Sequence, residues 1–114
     1  MITLFMLLSM GAQAATLANV EGFPQLECYT AAAKVSPQMT RSDAALLCHQ
    51  AQSTSPIGCY QDAMASRDLG VTRSEAAQLC TGADSSEPVN CAEAAAKAKP
   101  QMTRADSVQL CAQH

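Results

Sequence analysis

Apolar residues recur along this chain at helical spacing, and nowhere do they alternate in the two-residue rhythm of a half-buried strand. Cys28, Ala31, Ala32 and Val35 fall at i, i+3, i+4 and i+7, which places them on one helix face, and Cys91, Ala94, Ala95 and Ala98 repeat that stripe. Each such segment is followed by a stop and then by a helix-start signature. Pro37 and Pro100 stand where a helix would need an amide they lack, and Gly70 fills that place in the middle of the chain as a left-handed terminator. Next come Thr40-x-x-Asp43, Thr72-x-x-Glu75 and Thr103-x-x-Asp106, in which the hydroxyl takes the amide three residues on. Glu75 has the length to reach back and complete a capping box, whereas the two aspartates are shorter versions. Met39, Val71 and Met102 precede the three threonines as apolar staples.

The cysteines give this pattern a period. They stand at 28, 48, 59, 80, 91 and 111, with 19, 10, 20, 10 and 19 residues between them, so a unit of 31 or 32 residues recurs three times. Residues 28–48 and 91–111 agree at 13 of 21 positions, and 59–80 keeps the frame with one extra residue near Gly70. The expected fold is all-α: three tandem disulfide-stapled helical hairpins, 28–48, 59–80 and 91–111, forming a small solenoid or an up-down bundle as one domain over 28–111. Ser53-Thr54-Ser55-Pro56 and Asp84-Ser85-Ser86-Glu87-Pro88 supply linker and helix-start chemistry, with Ser55 as the expected cap and Pro56 as the first helical residue. Gly82 fits a helix stop.

In an antiparallel hairpin, residues equally far from the turn lie at one height, and Cys28 and Cys48 are both ten residues from residue 38. That symmetry, shared by the other two units, pairs Cys28 with Cys48, Cys59 with Cys80 and Cys91 with Cys111. The rival scheme joins Cys48 to Cys59 and Cys80 to Cys91 across the linkers. Bridges are wanted because the interior is thin: 22 of 114 residues are alanine, and the only aromatics are Phe5, Phe23, Tyr29 and Tyr60.

Residues 2–10 form a nearly unbroken apolar run, and Ala12-Gln13-Ala14 follows as a small-x-small cleavage signal, although no Lys or Arg precedes the run. Residues 1–14 are therefore read as a signal peptide and 15–27 as a lead segment. The run is too short to span a bilayer, which takes about 20 apolar residues, so no stable membrane insertion is expected after cleavage. An even number of cysteines in a short exported chain signals disulfides, and the expected location is the periplasm or the extracellular medium.

Net charge is −3 with a pI of about 5.1, which excludes the basic surface of a nucleic-acid binder. Zinc sites draw ligands from short spacings such as C-x2-C, and no two cysteines here are that close. Cys48-His49 lacks the second cysteine of a haem attachment motif, because Ala45 occupies its place. Met39 and Met102 could ligate a soft metal, but Val71 in the equivalent position favours packing. His49 and His114 have no partner pattern that suggests a base, and no serine stands in a nucleophile elbow. No catalytic, cofactor or metal site is expected.

The least ordinary feature is an arginine directly after each capping threonine: Arg41, Arg73 and Arg104. A cation there faces the positive end of its helix, at a cost of a few tenths of a kcal/mol. Lined up along one edge, the three are candidates for binding carboxylate or phosphate groups on a partner. The plainer alternative pairs each with an acid such as Asp62 or Glu93.

The frame C-x3-A at the head, T-R-x-[DE] in the middle and L-C at the tail, with Leu79-Cys80-Thr81-Gly82-Ala83 in the middle unit, resembles Cys-bracketed helical-hairpin repeat proteins exported by bacteria. It is similar, more loosely, to Sel1-like Cys-rich repeats. The resemblance covers residues 28–111 and implies stapled helical hairpins without an assigned activity. The expected function is a non-enzymatic binding, interaction or structural module whose partner is another protein or an envelope component. A small secreted effector or inhibitor is the alternative, and a periplasmic metal-handling or redox protein would require free thiols.

Overall fold

Proline in a first helical turn removes only an amide that has no intrahelical acceptor, and each of the three leading helices begins this way. A computed structural model describes residues 22–98 and 100–112, so the expected signal segment, 1–14, and most of the lead segment lie outside the described residues. The elements are α1 (Pro24–Ala32), α2 (Arg41–Leu47), α3 (Ser55–Ala65), α4 (Arg73–Leu79), α5 (Glu87–Lys97) and α6 (Arg104–Cys111), with no strand among the described residues. The chain is all-helical, as the periodicity predicts.

Three bridges close three hairpins: Cys28–Cys48, Cys59–Cys80 and Cys91–Cys111, each with Cα atoms 5.6 Å apart. This is the pairing expected from equal distance to the turn, and the scheme across the linkers does not occur. The hairpins then pack in order. The leading helices touch in series, α1 on α3 and α3 on α5, and so do the trailing helices, α2 on α4 and α4 on α6. Burial follows this double row. Tyr60, Leu47 and Leu79 are the largest wholly buried side chains, and alanines such as Ala32, Ala63, Ala76 and Ala77 fill the rest. Met39 and Val71 are buried and Met102 partly so, in keeping with their reading as staples.

Several boundaries differ from the expectation. The leading helices start upstream of their cysteines, so each hairpin is longer than the span between half-cystines. In α3 the cap position falls on Thr54, not Ser55; Ser55 is the first helical residue, with Pro56 after it, and the Ser55 amide donates to Ser53 Oγ at 3.1 Å. Gly70 does adopt a left-handed conformation, with φ +59°, but it does not end α3. That helix has already stopped at Ala65, where the Ser66 amide donates to Asp62 and Ala63, and Gly70 instead turns the loop leading to Val71. Likewise α1 ends at Ala32, five residues before Pro37, and Val35 packs from beyond the helix. Gly82 is the stop the sequence suggests, with φ +62° just after α4.

Candidate functional site

All three trailing helices open in the same way. The amides of Asp43, Glu75 and Asp106 donate to the hydroxyls of Thr40, Thr72 and Thr103 at 3.0, 3.1 and 3.1 Å. In α4 the cap is reciprocal, because the Thr72 amide donates to Glu75 Oε1 at 2.9 Å, and this is the full capping box expected there. Arg41, Arg73 and Arg104 are each the first helical residue of α2, α4 and α6. Serial packing of these helices sets the three arginines along one edge of the double row.

Along that edge two of the cap acids, Asp43 and Glu75, also serve the next helix. Ser74 Oγ donates to Asp43 Oδ1 and Oδ2 at 3.2 and 3.3 Å, joining α4 to α2. Arg104 Nε lies 3.0 Å from Glu75 Oε1 and donates to Oε2 at 3.2 Å, joining α6 to α4. Partial burial pushes the Glu75 carboxyl up, but the Thr72 amide and the hydrogen bond and charge of Arg104 outweigh it, so the net effect lies below the usual carboxylate range. The Glu75 carboxylate is thus bonded to its own helix and to the next, and the Asp43 carboxylate to the next.

The three arginines are therefore not equivalent. Arg104 holds Glu75, while Arg41 and Arg73 are exposed and make no ion pair among the described residues. Asp62 and Glu93, the acids named in the alternative reading, are engaged in the other row: Ser86 Oγ donates to Asp62, and Ser66 Oγ donates to Glu93 at 2.9 Å. The reason is topological. Both acids sit on leading helices, whereas the arginines open trailing ones.

Between the starts of α2 and α4 lies an open groove of about 490 Å³, lined by Met39, Thr40 and Asp43 on one side and Thr72, Arg73 and Ser74 on the other. Its chemistry is one cation, Arg73, one carboxylate, Asp43, hydroxyls and a small apolar patch, with no base aligned with a nucleophile. Tyr60 is buried, and its hydroxyl donates to the Pro37 carbonyl at 2.9 Å. Burial raises the Tyr60 phenol above its ordinary value, Arg73 pulls it down and Asp43 pushes it up.

All six cysteines are half-cystines, and no group of three or more His, Cys, Asp or Glu converges among the described residues. His49 is exposed, and His114 lies outside the described residues. No described helix is long and apolar enough to cross a membrane. Three intramolecular bridges fit an oxidising compartment. No family model, no curated protein and no solved structure matches the chain.

Proposed function

We propose that the chain is an exported, non-enzymatic interaction module that binds carboxylate or phosphate groups of a partner protein or envelope component along the edge bearing Arg41 and Arg73. One observation carries this reading. Arg104 grips a carboxylate, while Arg41 and Arg73, in the same position on sister helices, make no ion pair among the described residues. A guanidinium is suited to such groups by its fork of donors and its permanent charge. Export is supported by the apolar run at residues 2–10, by Ala12-Gln13-Ala14 and by three bridges. The resemblance to Cys-bracketed repeat proteins exported by bacteria points the same way.

The test is retention of the purified oxidised chain on immobilised phosphate and carboxylate supports, followed by pull-down from an envelope fraction. The doubly substituted Arg41→Gln, Arg73→Gln chain is expected to elute at lower salt than the unaltered chain and to lose the partner. Identical elution and capture overturn the reading.

A further inference from the structure

A tandem array buries the junctions between its units and leaves one unmatched face at each end. Here the two end faces carry the same side-chain positions that the internal junctions bury. Two residues before the first cysteine of each hairpin stand Leu26, Ile57 and Val89. Ile57 and Val89 are 8% and 4% exposed, whereas Leu26, in the first hairpin, is 48% exposed. Three residues before the second cysteine, Ala77 and Val108 are buried and Ala45 is exposed. The opposite end mirrors this. Leu47 and Leu79, directly before the second cysteine, are wholly buried, and their counterpart Leu110 is 69% exposed.

The polar ladder is unfinished at the same two ends. Asp43 is met by Ser74 and Glu75 by Arg104, which among the described residues leaves Arg41 and Ser42 as donors without a preceding cap acid, and Asp106 as a cap acid without a following donor. The cation is at one end and the carboxylate at the other. Hairpins 1 and 3 agree at 13 of 21 positions.

We propose that these ends meet: the chain associates head to tail with a second copy of itself, hairpin 3 of one molecule stacking on hairpin 1 of the next. Leu110 then packs against the Leu26 and Ala45 face, and Arg41 takes Asp106 as Arg104 takes Glu75. The junction follows the geometry between hairpins 2 and 3. The geometry between hairpins 1 and 2 is closed to it, because a Cβ at Gly82 would meet His49 O at 2.8 Å and the matching position in hairpin 1 is Gln50, with φ 60°. Such a contact uses two different patches, so it does not close on itself and adds molecules one at a time. It shares Arg41 with the anion-binding edge, but Arg73 belongs to that edge alone and Leu26 and Leu110 to this contact alone, so the leucine variants test the association separately.

The experiment is sedimentation velocity on the oxidised full chain from micromolar to about millimolar concentration, a range that covers weak specific contacts. The unaltered chain is expected to gain mass steadily with concentration. Leu26→Asp or Leu110→Asp, each burying a charge at one side of the junction, should weaken self-association about tenfold or more. Mixing the two variants restores one intact junction and should give a species of two chains and no larger. Arg41→Glu and Asp106→Arg provide a second readout: each alone weakens association, and both in one chain restore it. A monomer at every concentration overturns the proposal. So does undiminished self-association of either Asp variant alone, or a mixture that stays monomeric.

Discussion

The amide of Gly82 donates to the carbonyl of Leu47 at 2.9 Å, stitching the end of hairpin 2 to the end of α2. The approach is so close that a Cβ on Gly82 would stand 2.8 Å from the backbone oxygen of His49, and the residue is left-handed as well. Gly82→Ala therefore combines a left-handed penalty of about 1–2 kcal/mol with a clash that only backbone movement relieves. Thermal unfolding followed by circular dichroism should show a loss of about 2 kcal/mol or more. Gly58→Ala, with no atom within 4 Å of its added Cβ and a helical setting, should instead be neutral or slightly stabilising.

Glu75 makes stability depend on acid. Its carboxyl titrates below the ordinary glutamate range in the folded chain, so its contribution is complete above the unfolded value and disappears as pH falls through the folded one. Glu75→Ala removes half the capping box and the partner of Arg104, a loss of about 1 kcal/mol. The variant should show a shallower decline in melting temperature between neutral and acid pH than the unaltered chain.

Tyr60 has the opposite dependence, at the alkaline end. Its phenol is raised in the folded state, so the folded chain holds its proton longer than the unfolded chain does, and stability falls as pH rises past the ordinary tyrosine value. Ultraviolet titration of the Tyr29→Phe variant should report this single late step. Tyr60→Phe leaves the Pro37 carbonyl without its donor and should cost about 1 kcal/mol.

Reduction should unfold the chain near room temperature. Each bridge closes a loop of 20 or 21 residues, which is worth about 3 kcal/mol in the chain-entropy view, and three together approach the whole stability of a small domain. Far-UV circular dichroism with and without reductant checks this, and unchanged helicity contradicts it.

The pairing of Cys28, Cys59 and Cys91 with their partners was legible in the sequence because a hairpin converts equal distance from a turn into equal height. The three threonine caps were legible because capping depends on residues only three positions apart. Gly70 misled for the complementary reason: its left-handed conformation is a local property, but the place where α3 stops is set by packing, and the extra residue in that unit gives the loop room to turn later. The partners of Arg104, Asp62 and Glu93 were beyond local pattern, since they depend on which helix row a residue belongs to. A signal for the row existed. An acid two residues after each arginine recurs in all three units, which puts Asp43, Glu75 and Asp106 at one register position.

Because one carboxylate, Glu75, both starts α4 and holds α6 through Arg104, the second and third hairpins do not loosen separately. Fraying at the start of α4 lets go of its neighbour, and detachment of α6 frees the group that keeps α4 wound, so amides on the two helices should exchange with solvent as one cooperative unit.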